Sequence, residues 1–121
     1  MNSGESMRNM YEVMEHWGAW VAAENSGLDW QQIAAGFKGL IPYAKKSRPQ
    51  CTDDIGLTID FFVSILCKRR PDMYGIIIAH FVMRVSLRAI ARQLKCSDGT
   101  IRKKVESALG FIEGCWLSRG C

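Results

Sequence analysis

VSLRAIARQLKCSDGTIRKKVESAL, residues 85–109, holds six of the sixteen basic residues of this 121-residue chain in about a fifth of its length. Two serines, Ser86 and Ser97, stand eleven residues apart, each just ahead of an amphipathic run. Serine favours the position before a helix because its hydroxyl oxygen accepts from a free backbone N–H of the first turn. The spacing therefore predicts a short helix, LRAIARQLK, a turn at Cys96-Ser97, and a longer helix from Asp98 to about Leu117. This is the anatomy of a helix-turn-helix. In the first helix Leu87, Ile90, Ala91 and Leu94 are expected to face inward, with small Ala91 where the second helix crosses. In the second, Ile101, Val105, Ala108 and Ile112 fall within an arc of about sixty degrees. Gly99, Lys103 and Glu106 lie opposite that arc, Thr100 and Arg102 on its flanks, and Lys104 at its border.

Such a second helix offers side chains suited to a DNA groove. Arg102 and Lys103 can pair with guanine, and Thr100 can touch a base edge or a thymine methyl. Lys104 follows them. Arg88, Arg92 and Lys95 of the first helix are placed to bind phosphates. The helix start at Ser97–Gly99 adds backbone N–H groups that attract an anion. An amphipathic pair can also carry basic residues merely to stay soluble. Three features favour DNA here: the two caps at helix-turn-helix spacing, the S-x-G-T-I-R-K-K turn, and the scarcity of acids, Asp98 and Glu106 alone.

The length fits one domain with a sizeable core, spanning residues 1–121. The net charge of +4 conceals an uneven distribution. Residues 1–35 carry five acids against Arg8, residues 36–50 carry four cations and no acid, and residues 84–104 carry seven cations against Asp98. Local charge of that size attracts a polyanion more than the total does. The five cysteines, 51, 67, 96, 115 and 121, are odd in number and include no C-x-x-C pair, so neither a disulfide framework nor a zinc site is expected. Reduced thiols in a cytoplasmic protein are the simpler reading. No signal-peptide pattern opens the sequence. No apolar run approaches a membrane span; YGIIIAHFVM, residues 74–83, reads as a core helix.

Elsewhere the periodicity predicts helices over residues 5–24, over WQQIAAGF (30–37), from Thr52 or Asp53 to about Lys68, and from Pro71 through Val82. Between them, a basic segment rich in glycine and proline, about residues 36–50, breaks regular structure. Asp53, Asp54 and Asp60 resemble a carboxylate set, but no histidine or lysine follows at useful spacing, and capping by Asp53 or Asp54 at a positive helix end is the simpler reading. No nucleotide-binding loop or nucleophile–base pair is present, so no catalytic residue is assigned and no cofactor is expected. The four tryptophans, 17, 20, 30 and 116, read as core anchors, and His80 as a core histidine bonded to a backbone carbonyl. The fold class is all-α: a compact bundle of five or six helices with the helix-turn-helix, about residues 86–117, at its C-terminal end.

Beyond that local anatomy, the helix-turn-helix resembles the DNA-binding region 4 of sigma factors. A longer set of blocks is more particular. WGAW (17–20), LDWQQIAAGFKGLIP (28–42), KSRPQC-x-DD-x-GL-x-ID (46–60), VSLRAIARQLKCSDGTIRK (85–103) and GFIEGC (110–115), in this order, resemble the phage antitermination protein Q family. The likeness runs from about His16 to Trp116 and is to the short, zinc-free class. Where that class carries three aspartates after the cysteine block, this chain has Asp53-Asp54-Ile55, and the resemblance does not place its tail beyond Trp116.

The resemblance implies a non-enzymatic, cytoplasmic factor of the bacterial host cell. Such a factor binds double-stranded DNA at an element beside a phage late promoter and loads onto host RNA polymerase with sigma still engaged. It then suppresses termination by narrowing the RNA-exit channel. Nascent RNA and a second copy on the DNA are further partners to be considered, and a membrane is not. Carried onto this sequence, DNA reading falls on Ser97 to Lys104 with Arg88 and Arg92. Lys38, Tyr43, Lys45, Lys46 and Arg48 of the basic segment are the candidates for facing polymerase or RNA; a solvated connector is the alternative. For the whole protein the alternative is a helix-turn-helix repressor or activator that only occupies an operator.

Overall fold

A computed structural model describes residues 3–23, 26, 30–37, 39–40 and 48–119, and all the regular structure in them is helical. The order is α1 (Ser3–Ala22), α2 (Gln31–Gly36), α3 (Asp53–Arg69), α4 (Pro71–Ile77) running into a π-helical turn (Ile78–Val82), α5 (Leu87–Gln93) and α6 (Asp98–Ser118). The six helices are those the periodicity predicts, within a residue or two at most ends.

The apolar run at residues 74–83 forms the centre. Met73, Tyr74, Ile76 to Ala79 and Phe81 to Met83 are all buried, as expected of a helix that is apolar on every side. α1, α3 and α6 pack around it. α1 contributes Met10, Met14, Trp17 and Val21; α3 contributes Ile59, Phe62, Val63 and Leu66; α6 contributes Ile101, Val105, Ala108, Leu109 and Ile112.

Two glycines set how closely these helices approach. At Gly18 of α1 a Cβ would lie 1.9 Å from the carbonyl oxygen of Phe81 in the π turn. At Gly56 of α3 it would lie 2.5 Å from the Trp20 ring. Both helices therefore press backbone directly onto their neighbours.

α3 shows how local chemistry defines a helix. Thr52 is its N-cap, accepting from the Ile55 N–H. Asp53 and Asp54 occupy the first turn and Lys68 and Arg69 the last, each favourable to the helix dipole. Arg70 ends α3, and Pro71, whose missing N–H costs nothing at a first turn, begins α4. The aspartates do more than favour the dipole. Asp53 accepts from the Trp20 indole N–H (2.9 Å) and Asp60 from the Trp17 indole N–H (2.8 Å) and the Ser26 hydroxyl (2.6 Å). Both tryptophans are buried, and a buried indole N–H left unpaired would cost about 1–3 kcal/mol. The carboxylates thus join α1 to α3. The capping reading of Asp53 is corrected accordingly: the cap is Thr52, and Asp53 is a tertiary acceptor.

The helix begun at Pro71 does not stay α-helical to its end. The Met83 N–H donates five residues back to Ile78 (3.1 Å) and the Val85 N–H six back to Ala79 (2.9 Å). The chain leaves this widened turn through Arg84, whose φ of 62° lies in the left-handed region. Arg48 closes the open end, donating from its two terminal nitrogens to the carbonyls of Phe81 (2.9 Å) and Val82 (3.1 Å). His80 is held as the sequence suggests. Its Nδ1 lies 2.9 Å from the Val85 carbonyl, which can only accept, so Nδ1 carries the proton and Nε2 accepts from the Tyr11 hydroxyl. Burial pushes His80 below the usual histidine range, consistent with this neutral tautomer. Cys51, Cys67, Cys96 and Cys115 are unpaired thiols. Among the described residues no helix is long and apolar enough to cross a membrane.

Candidate nucleic-acid interface

α5 and α6 form the helix-turn-helix. Ser86 accepts from the Ala89 N–H and Ser97 from the Thr100 N–H, both at 3.1 Å, so the two caps inferred from spacing are the two observed. The Ser97 and Thr100 hydroxyls also bond to each other at 2.8 Å. Ile90, Ala91, Ile101 and Val105 are buried, and α5 packs on α6.

The turn differs from the expectation in one respect. α5 ends at Gln93, and Leu94, expected inside, is 48% exposed. Lys95 takes a left-handed φ of 57°; its N–H bonds to Arg92 (3.2 Å) and the Cys96 N–H bonds to Ala91 (2.9 Å). This is a Schellman closure, which reverses the chain one residue earlier than apolar periodicity implies and turns Leu94 out of the seam. Gln93 also donates to the Gly36 carbonyl (3.2 Å), tying α5 to α2.

On α6, Asp98, Gly99, Thr100, Arg102, Lys103 and Glu106 are exposed. Among the described residues, Arg92, Arg102 and Lys103 enter no ion pair. Arg88 lies 3.9 Å from Asp98 with both side chains mostly in water, a contact worth a fraction of a kcal/mol. An α6 face of free cations flanked by Arg88 and Arg92 is able to approach phosphates and base edges without first breaking strong internal pairs.

Lys104 is placed differently from its neighbours. Half-buried, it points its Nζ at Asp72 of α4, 3.1 Å away, and Asp72 is also bonded by Arg70 at 3.3 Å. Those bonds, from Arg70 and then Lys104, hold the Asp72 carboxyl down at about 2. Lys104 therefore braces α6 on α4 and is not part of the outward cationic face with Arg102 and Lys103. Asp72 is 41% exposed, so solvent screening limits the contribution to less than about 1 kcal/mol. A folded pKa held below the unfolded value of about 3.9 stabilises above that value and ceases to do so as pH falls through the folded one. Asp72→Asn is accordingly expected to lower stability slightly at pH 7, with the gap closing between about pH 4 and pH 2. Urea denaturation at both ends of that range checks this; a gap that persists at low pH would assign the effect to packing instead.

Arg48 is committed to the Phe81 and Val82 carbonyls. Lys38, Tyr43, Lys45 and Lys46 lie outside the described residues. Trp116 packs edge-on against Phe62 and carries the Arg119 guanidinium over its face at 4.0 Å. No group of three or more metal-ligating side chains gathers among the described residues. Sequence reading gave no role to Arg84, whose only signal was its charge. Its position at the rim of a cleft is a product of tertiary structure.

Comparison with known proteins adds to this geometry. Residues 7–120 match the family model described as phage antitermination protein Q. The chain is 47% identical over 109 residues to a probable antitermination protein Q of Acyrthosiphon pisum secondary endosymbiont phage 1, covering 89% of this chain and 74% of that one. It is 40% identical over 114 residues to antitermination protein Q of Escherichia phage 933W, covering 94% and 79%. Among solved structures, its fold is similar to that of transcription antitermination factor Q21 in complex with Q21-binding-element DNA. That match has a TM-score of 0.70 and 19% identity and covers 99% of this chain and 97% of that one.

Proposed function

The chain belongs to the phage antitermination protein Q family, and from that premise we propose that it is a DNA-binding transcription antitermination factor working on host RNA polymerase. In this reading α6 enters the major groove of a promoter-proximal element, with Thr100, Arg102 and Lys103 toward the bases. Ser97, Gly99, Arg88 and Arg92 hold the phosphates. The DNA contact delivers the protein to a polymerase still carrying sigma, and the protein then obstructs formation of the terminator hairpin at the RNA exit. It acts by binding and obstruction, not by catalysis, in the cytoplasm of the bacterial host. The basic segment with Lys38, Tyr43, Lys45 and Lys46 is the part assigned to polymerase or nascent RNA. A related factor solved with its own DNA element and sharing this fold supports the DNA-binding step.

The observation that carries the proposal is the exposed α6 face on which Arg102 and Lys103 enter no ion pair among the described residues, in a helix pair capped by Ser86 and Ser97 and a chain matching the Q family over residues 7–120. A terminator read-through assay with purified host polymerase tests it. Read-through should rise on a template carrying the phage late-promoter region and stay at its basal level on one lacking it. A protein that binds the first template and leaves read-through unchanged is an operator-binding regulator instead. In the same assay, neutralising Lys45 and Lys46 should lower read-through more than DNA affinity.

A further inference from the structure

A cleft of about 240 Å³ opens between α1, the π turn and the strand of chain leading into α5, lined by Tyr11, Glu15, Arg48, His80, Arg84 and Ser86. Two guanidinium groups 36 residues apart in sequence meet there. Arg48 is fixed, its terminal nitrogens bonded to the Phe81 and Val82 carbonyls. That leaves Nε–H and the remaining terminal hydrogens, because a guanidinium has five donors. Arg84 is exposed and, among the described residues, enters no ion pair. Its φ of 62° is a conformation that side-chain-bearing residues other than asparagine and aspartate seldom hold.

The charge of the cleft follows from its members. His80 is neutral, as its bonds require, and Tyr11 is held protonated by burial. Two guanidiniums against the Glu15 carboxylate leave one net positive charge. Burial first, and then the proximity of Arg84, push Arg48 down, while Glu15 opposes the shift; the Arg84 part is a like-charge repulsion that a bound anion would relieve. A phosphodiester carries one negative charge and offers oxygens to a planar fork. The cleft is also continuous with the proposed DNA-binding unit. Ser86, on its wall, is the N-cap of α5, whose Arg88 and Arg92 are the proposed phosphate contacts. The first helix of such a unit crosses the DNA backbone.

The geometry points to this cleft as a binding site for a phosphate of the DNA backbone outside the helix-turn-helix proper, held by Arg84 at the rim and Arg48 behind it. The inference rests on the DNA-binding reading above, and its failure is separable from the failure of that reading.

The test uses a duplex selected by the full-length protein from a random pool, with affinity measured by fluorescence anisotropy across a salt series. Arg84→Ala should reduce the dependence of log K on log salt by about 0.9 and weaken binding about eightfold at 0.1 M salt, the loss of one phosphate contact. Arg84→Gly, which relaxes the backbone while removing the same guanidinium, should bind as weakly and melt no lower than the unaltered protein. Arg84→Lys, keeping the charge without the fork, should recover most of the salt dependence. Unchanged affinity and slope in Arg84→Ala and Arg84→Gly, with Arg102→Ala still impaired, would overturn the cleft assignment and leave the helix-turn-helix reading standing. Unchanged binding in Arg102→Ala as well would remove both.

Discussion

Gly18→Ala is expected to cost the protein about 3 kcal/mol or more of folding stability, the upper end of what forced overpacking produces. The added methyl would sit 1.9 Å from the Phe81 carbonyl oxygen and 2.5 Å from its carbonyl carbon. These are backbone atoms and cannot rotate aside, so α1 must lift away from the π turn. That carbonyl also receives the Arg48 guanidinium, and the Tyr11–His80 bond links the same two elements, two turns before Gly18 on α1 and one residue before Phe81 in the π turn. The displacement therefore disturbs several contacts at once. A domain of this size has a margin of about 5–15 kcal/mol, so the loss is a large part of it. Urea denaturation of the variant should show a markedly lower midpoint. Gly110→Ala is the control: nothing lies within 4 Å of its Cβ position, and alanine in an exposed helix interior should stabilise by up to about 1 kcal/mol. A Gly18→Ala variant as stable as the unaltered protein would mean that α1 and the π turn do not meet at this distance.

The second large effect is on DNA affinity. Arg102→Ala should weaken binding to a selected duplex by about 1–3 kcal/mol, roughly 5- to 150-fold, and relax preference at one base position. Lys103→Ala should weaken it as well. If Lys103 contacts phosphate, the loss is uniform across sequences and the salt slope falls by about one. Both side chains are exposed and unpaired among the described residues, so thermal stability should change by less than about 0.5 kcal/mol. That separation gives the experiment its force: lost binding with unchanged melting assigns both residues to the interface, and unchanged binding removes α6 as the reading helix. Lys104→Ala makes an informative contrast. Its partner is Asp72, so its expected effect is a small loss of stability, with DNA affinity less affected than in Arg102→Ala.

The helix-turn-helix was legible because its determinants are local. A serine cap acts on an N–H three residues away, and apolar spacing reports the inward arc of a helix directly. Ser86, Ser97, Ile90, Ala91, Ile101 and Val105 are accordingly where the spacing puts them. Leu94 was misread because a Schellman turn is decided by one left-handed residue, and that residue is a lysine where glycine would have announced the turn. Asp53 was misread because a carboxylate at a helix start looks the same whether it serves its own helix or an indole 33 residues earlier; the Asp60 bond to Trp17, 43 residues earlier, left no local sign at all. Arg48 likewise counted as one more cation in a basic segment until the Phe81 and Val82 carbonyls were seen against it.

By itself the amino-acid sequence determined the all-α class, the helices, the serine caps of α5 and α6 and the cationic face of α6, since each depends on residues within about a turn of one another. It also carries the blocks shared with the Q family. Tertiary structure decided which charges remain available. It turned Lys104 toward Asp72, enlisted Arg48 at the end of the π turn, joined Trp17 and Trp20 to the aspartates of α3, and left Arg84 at the mouth of a cleft. A charge acts through whatever lies within a few ångströms of it, and in this fold those neighbours come from distant parts of the chain.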